Sequence, residues 1–286
     1  KPNQHMKTAS KSLNNSRVYF CSVPIGNDDD ITIRVKQQLH ITPTIACEDT
    51  RVTKQLLKRL GIWQNQSLIR LDQHTENNQN WAWLASALLL GPVSVVSDAG
   101  TPNICDPGAY FVAQLREKGA NIVPIPGPCA LTTFLSVSGF LANHFVMGGF
   151  FPKKQSEARA FIDSVRSVEG PIVFYDSPRR LLKTLLWLSK SYPVTQIVLG
   201  KELTKRYETL FSGTIDAVID QIQALESIKG EWVIGVQIEP VSSSHQLDET
   251  VASLKKMGLS DQQILAVTSD LVPLPRNAVK GRLFNS

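Results

Sequence analysis

The sequence predicts an α/β protein whose first half is a five-stranded parallel sheet, followed by a second α/β domain and a small helical tail. Three observations predict it. Five short β-favouring runs between residues 17 and 127 alternate with helical patterns, and no hairpin is interleaved. The runs end in bends of small residues, proline or polar groups, clearest at Ser97-Asp98-Ala99-Gly100-Thr101-Pro102. Beyond the polar linker Ser242–His245 the pattern becomes wholly helical. The expected division is a cloning remnant and flexible lead-in at 1–16, domains at 17–127 and 128–241, and a linker with a helical module at 242–286.

Arg17 to Val23 reads as a strand, followed by Pro24-Ile25-Gly26-Asn27 and an acidic run, Asp28 to Asp30, that opens a helix through Leu39. The carboxylates suit the positive end of that helix. A strand followed by a glycine bend is how a nucleotide-like ligand is approached, yet the loop lacks Gly-x-Gly-x-x-Gly, which argues against a dinucleotide. Thr44 to Asp49 is the second strand, ending in Glu48-Asp49-Thr50-Arg51, and Lys54 to Leu60 turns helical and stops at Gly61. Either Arg51 forms a salt bridge that orders this loop, or the cluster serves a polar substrate, with Asp49 or Glu48 as base and Arg51 on an anionic oxygen. Ser67 to His74 is the third strand, and His74 is a loop hydrogen-bonder or a candidate base. Glu76 to Leu90 is an amphipathic helix.

Val93 to Val96 is the fourth strand, and Asp98 just beyond it is the first functional candidate, because ligands of open parallel sheets bind beyond the strands' carboxyl ends. The alternative is that Asp98 caps its own turn. Asp106-Pro107 opens the next helix, with Asp106 as N-cap, Pro107 at the first position and Gly119 past the end. Asn121 to Ile125 is the fifth strand, broken by Pro126-Gly127-Pro128. The helix from Cys129 to Ser138 starts with small residues that leave its N–H groups open to a ligand carboxylate.

In the second domain His144–Phe150, Pro171–Asp176, Gln196–Lys201 and Glu231–Glu239 read as strands, Thr204–Ser212 as extended and Thr214–Leu225 as helix. Lys153, Lys154, Arg179 and Arg180 stand near helix starts, where the dipole does not favour positive charge. Either they are solvated surface groups, or they hold a phosphate-bearing substrate. Asp248–Met257, Ser260–Leu271 and Arg276–Leu283 read as three helices, with Ser260 and Gln263 as a capping box. They form a nucleic-acid module or a packing module.

The 286 residues suffice for two domains, and a net charge of +5 permits a polyanionic partner without demanding one. Four cysteines, far apart and without a Cys-x-x-Cys pair, fit reduced cytoplasmic thiols and indicate no metal. The longest apolar run, Trp81 to Val96, is interrupted by Ser86, Gly91, Pro92 and Ser94, so no membrane span is expected. No signal peptide is visible.

Val23-Pro24-Ile25-Gly26-Asn27, Glu48-Asp49-Thr50-Arg51, Ser97 to Pro102, Asp106-Pro107-Gly108, Pro126-Gly127-Pro128, Gly149-Phe150, Tyr175 with Ser177-Pro178, and Glu202-Leu203-Thr204-Lys205 together resemble the ribosomal RNA small-subunit methyltransferase I family of the tetrapyrrole-methylase superfamily. The resemblance runs from about residue 17 to 284 in the family's order. It implies two α/β domains of the tetrapyrrole-methylase type, the second with a mixed sheet. It also implies a cytoplasmic homodimer that uses S-adenosylmethionine to methylate the ribose 2′-hydroxyl of a cytidine in the decoding region of small-subunit rRNA. By motif, the cofactor-facing positions would be Pro24, Gly26, Asp98, Ala99, Gly100, Thr101, Pro126, Gly127, Ala130, Phe150, Tyr175 and Ser177. Asp49, Glu48 or His74 would accept the hydroxyl proton, and Arg51, Lys153, Lys154, Arg179 and Arg180 would hold RNA phosphates. Asp28, Cys105, Cys129, Gly148, Asp176 and Arg179 depart from the family pattern, which usually has Glu at the position of Gly148. Two other readings compete: methylation of a tetrapyrrole carbon, and a non-catalytic RNA-binding assembly protein.

Overall fold

The computed structural model describes residues 16–71, 86–106, 108–239, 243–271 and 283. Its first sheet contains β1 (Arg17–Cys21), β2 (Thr44–Cys47), β3 (Ser67–Arg70), β4 (Val93–Val96) and β5 (Asn121–Ile125) in the order β3-β2-β4-β1-β5. Every pair is parallel. β2 and β4 are buried along their whole length, as central parallel strands covered on both faces must be. β5 takes an edge, where Pro124 costs no ladder bond. Cys21, Cys47 and Val96 face α1 (Ile33–Ile41) and α2 (Thr50–Arg59) through Val35, Leu39, Leu56 and Leu57. Val18, Ala46, Val93 and Val95 face α3 (Ala109–Glu117) through Phe111 and Leu115.

The chain continues through α4 (Ala130–Ser138) into a second sheet of β6 (Val146–Phe150), β7 (Ile172–Asp176), β8 (Val194–Lys201), β9 (Thr209–Gly213) and β10 (Trp232–Ile238), ordered β6-β7-β10-β8-β9. β6 and β7 are parallel and the other pairs antiparallel, so this sheet is mixed. One face packs on α5 (Gln155–Val165), α6 (Pro178–Ser191) and α7 (Ile215–Gln223), around Phe174 and Trp232. The other packs on Leu131 and Phe134 of α4, so closely that a Cβ at Gly235 would stand 2.6 Å from both Phe134 and Phe140. Ile25, from the loop after β1, joins this same cluster with Leu203 and Val233. The first sheet's loop therefore reaches the second sheet, and a cleft forms where they meet.

α8 (Ser243–Lys256) and α9 (Asp261–Leu271) pack on one another. The capping box forms as expected: Gln263 Oε1 accepts the Ser260 N–H at 2.9 Å and Ser260 Oγ accepts the Gln263 N–H at 3.4 Å.

Several boundaries differ from the sequence expectation, each for a local reason. Asp28–Asp30 form a separate 3-10 turn, and α1 starts at Ile33 because Thr32 caps it, accepting the Val35 N–H at 3.1 Å. Asp28 instead receives Arg59 at 2.7 and 3.0 Å. α2 begins at Thr50 rather than Lys54, because Asp49 is its N-cap. α3 begins at Ala109 behind Gly108, at φ 138°, so Asp106 is not its cap. Residues 202–207 make turns rather than extended chain, with Glu202 at φ 51° and Thr204 at φ 66°. Residues 243–245, expected as linker, belong to α8. β3 ends at Arg70; His74 and most of the Glu76–Leu90 and Arg276–Leu283 helices lie outside the described residues, with residues 86–90 helical.

Candidate functional site

β1 and β4 are neighbours whose onward connections run in opposite directions across the sheet, to β2 and to β5, which opens a crevice at their carboxyl ends. Three loops converge there. Val23 and Gly100 exchange backbone hydrogen bonds of 2.9 and 3.1 Å, and Gly100 sits at φ 75°, where a side chain would be strained. The Thr101 hydroxyl donates to the Pro128 carbonyl at 3.0 Å and lies 3.0 Å from the Ser22 hydroxyl. A Cβ at Gly127 would stand 3.0 Å from Ser22 Cβ and 3.1 Å from its carbonyl oxygen, so glycine lets the loop after β5 close on the end of β1.

These loops face a cavity of about 400 Å³. Of the positions expected from the sequence, Ala99, Gly100, Thr101, Ala130, Phe150, Tyr175 and Ser177 line it. Pro126 instead lines an adjoining, more open groove of about 780 Å³ beside β5, to which Thr101 also contributes. Pro24, Gly26, Asp98 and Gly127 are not on the cavity wall; Pro24 and Gly26 flank Ile25 and Asp98 flanks Ala99, which do line it, whereas Gly127 has no cavity-lining neighbour in the chain. The sequence reading missed the wall supplied by Leu203, Glu231, Trp232 and Val233. Antiparallel register brings it there, with Trp232 opposite Asp176 and Val233 opposite Tyr175. The Glu202-Leu203-Thr204-Lys205 stretch was a signal for one part of it, and the start of β10 carried none beyond buried strand.

The carboxylates at the crevice divide by environment. Asp49 caps α2 and is gripped by Arg51, whose backbone N–H, Nε and Nη2 donate at 2.8, 3.1 and 2.6 Å. Those bonds hold its carboxyl well below the usual range and leave it ill suited to accept a proton. Asp98 Oδ1 accepts the Asp49 N–H at 2.9 Å, tying the loops after β2 and β4. Burial raises Asp98, opposed by that bond and aided by the Asp49 charge. Burial, then the Asp98 charge, raises Glu48. Asp106, on the cavity wall, is pushed up to about 6 by burial and by the charge of Glu48. Its chain position suggested only a helix cap, because a cap and a residue turned back toward the preceding strand look alike in sequence.

The basic residues also divide. Arg180 is half-buried, donates to the Phe151 carbonyl and pairs with the buried Asp176 at 3.0 Å, so its charge is internal. Lys154 pairs with Glu157 at 2.9 Å and Arg51 with Asp49 at 2.6 Å. Lys153 and Arg179 are exposed and have no ion-pair partner among the described residues. Lys153 follows the cavity-lining Phe150 by three positions, and Arg179 directly follows the cavity-lining Pro178.

The S-adenosylmethionine implied by the resemblance is an adenosine joined to a sulfonium and an amino acid. A cavity of about 400 Å³ is of the size that holds such molecules. Ile25, Leu203 and Val233 offer apolar wall to a purine, and the carboxylates of Asp106 and Glu231 offer negative charge to a cation. The residues present fit the group. Among the described residues no cluster of His, Cys, Asp and Glu could hold a metal ion, and no helix is long and apolar enough to cross a membrane.

Comparison with known proteins extends this picture. The family described as Tetrapyrrole (Corrin/Porphyrin) Methylases matches residues 17–219. The chain is 33% identical, over 89% of its length and 87% of the relative's, to ribosomal RNA small subunit methyltransferase I of Neisseria meningitidis serogroup A. It is 36% identical to the protein of that name from Escherichia coli O157:H7, over 79% of this chain and 80% of the other. Among solved structures, uroporphyrin-III-C-methyltransferase from Thermus thermophilus superposes with a TM-score of 0.53 at 14% identity, over 78% of this chain and 94% of that one. That likeness establishes the shared architecture.

Proposed function

Because the chain belongs to the tetrapyrrole methylase family and, within it, to ribosomal RNA small subunit methyltransferase I, we propose that it methylates the 2′-oxygen of a cytidine ribose in the decoding region of small-subunit rRNA. It is an S-adenosylmethionine-dependent methyltransferase. When bound, that cofactor supplies an electrophilic methyl group beside a positive sulfur, so the protein need only align and deprotonate the acceptor.

The half-buried carboxylate of Asp106 on the cavity wall is the observation that best supports a hydroxyl acceptor. A hydroxyl needs a proton acceptor near the working pH, and Asp106 sits closer to that range than Asp49. In this reading Asp106 takes the proton, and Glu48 keeps Asp106 basic through its charge. The Ala99–Thr101 bend, Ala130, Phe150, Tyr175 and Ser177 hold the donor. Pro24, Gly26, Asp98, Pro126 and Gly127 shape the loops around it. Lys153 and Arg179, with Lys154 and Arg51 able to exchange partners, hold RNA phosphates and set register. Positioning of the reacting atoms at about 3–3.5 Å supplies much of the rate.

A cytoplasmic homodimer completes the proposal. Four free cysteines support the compartment, and exposed Val137, Leu141 and Phe145 offer apolar surface to a second copy. The test is transfer of labelled methyl from S-adenosylmethionine to small ribosomal particles from a strain lacking the enzyme, followed by nucleoside mapping. Label in 2′-O-methylcytidine of the decoding region supports the reading. Label on a base, or a coloured product from a uroporphyrinogen with none in RNA, overturns it.

A further inference from the structure

One cluster of charged groups borders the cavity through Glu231, and its lysine has been given no task above. In the turn between β8 and β9, Lys205 Nζ lies 2.9 Å from Glu202 Oε1 and 2.9 Å from Glu231 Oε2. Glu202 Oε1 also accepts the Glu231 N–H at 2.8 Å, and the Glu202 N–H donates to the Glu231 carbonyl at 2.9 Å. The turn holds two non-glycine residues in the left-handed region, Glu202 at φ 51° and Thr204 at φ 66°, conformations that persist only where surroundings enforce them. Such a turn fixes where Lys205 points.

Lys205 points at the other sheet. A Cβ built on Gly26 would overlap Lys205 Cγ and stand 3.0 and 3.1 Å from Cε and Cδ, so the lysine stem lies flat on the Gly26 backbone. Gly26 is preceded by Ile25, which lines the cavity with Leu203 and Glu231. Ile25 Cγ2 in turn would stand 3.2 Å from a Cβ at Gly100, so the loop after β1 is caught between Lys205 on one side and the Asp98 bend on the other.

We propose that Lys205 is a positioning residue for the methyl donor: its two ion pairs anchor it to the second sheet, and its stem presses the Pro24–Asn27 loop into place as cavity wall. Glycine at 26 is then required by contact, since its φ is unexceptional. The aliphatic stem and the ammonium have separable tasks. The stem contacts the loop, and the ammonium aims the stem.

The inference concerns donor binding, so it stands or falls independently of which nucleotide receives the methyl group. Isothermal titration of S-adenosylmethionine into the full chain without RNA, with hydrogen exchange of the segment around Gly26, tests it. Lys205→Ala frees the loop and is expected to weaken donor binding about ten-fold, the scale of ordering a side chain or short loop on association. It also speeds exchange at Ile25–Asn27. In turnover the donor KM rises more than kcat falls. Lys205→Met, which keeps the stem, falls between Lys205→Ala and wild type, and Lys205→Arg restores most of the affinity. Gly26→Ala weakens donor binding with all three charges intact. Wild-type donor affinity in Lys205→Ala overturns the proposal, and so does a lowered thermal midpoint with unchanged exchange at Ile25–Asn27.

Discussion

Replacing Asp106 by Asn should stabilise the fold while it disables the reaction. Burial and Glu48 lift the Asp106 carboxyl from 3.8 to about 6. A raised carboxyl binds its proton more tightly in the folded than in the unfolded chain. Its contribution to stability is therefore full below 3.8, declines as pH rises between 3.8 and about 6, and is gone above. At pH 8 the folded state carries the whole penalty of an ionised, half-buried group. Two units at about 1.4 kcal/mol each would be roughly 3 kcal/mol in a dry site. Solvent screening at a half-exposed carboxyl reduces this to about 1.5 kcal/mol. With an unfolding entropy of about 2 cal/mol/K per residue over a chain this size, the gain is about 2.5 °C in Tm. Circular-dichroism melts of both proteins at pH 4 and pH 8 measure it: Asp106→Asn melts higher at pH 8, and the gap closes at pH 4. Methyl transfer by wild type rises with pH through about 6, and the variant loses that dependence with most of its activity. A variant that melts lower than wild type at pH 8, or by the same gap at both pH values, refutes the assignment.

Asp49→Ala removes the α2 cap and the Arg51 pairing, so methyl transfer should fall far less than the roughly 100- to 10,000-fold loss expected of a general base; a loss of that size in single-turnover assays returns the base role to Asp49. Iodoacetamide labelling read by mass spectrometry should modify exposed Cys105 and spare Cys21 and Cys47, which burial pushes up to about 12 and about 11; added S-adenosylmethionine should protect Cys105, which lines the cavity. Gly148→Ala should cost about 1–3 kcal/mol in urea denaturation, because a Cβ there would overlap the Phe174 ring and stand 2.9 Å from Phe161; Phe161→Leu should recover part of it.

The close approach of Phe174 and Phe161 to Gly148 explains a departure that the sequence could only register. Phe161 and Phe174 occupy the space beside β6 that any side chain at 148 would need, and an edge-to-face ring pair 5.7 Å apart now fills it. Such exchanges are invisible in a single chain because the compensating residue lies on another element. The parallel sheet was legible for the opposite reason: strands buried on both faces must be runs such as Val93-Ser94-Val95-Val96, whatever they pack against. The Asp98 bend was legible too, since its small residues and proline act locally. The structure makes Asp49 a helix cap and puts Asp106, expected as a cap, on the cavity wall. Both precede helices, and only three-dimensional return of the chain distinguishes the one that caps from the one that faces the cavity. The wall from the start of β10 depends on register with β7, a long-range property that no local pattern encodes.

That cavity wall is drawn from both sheets, and the loop carrying Ile25 is the seam between them. A molecule lodged there touches two independently cored bodies at once, and it is stabilised only when both are intact. Saturation with the donor therefore couples their unfolding: calorimetry should show the two halves merging into a single, later endotherm as donor concentration climbs. The same coupling makes donor affinity a sensitive gauge of alignment between the halves, so a substitution as remote as the Phe134 contact with Gly235 will register in it.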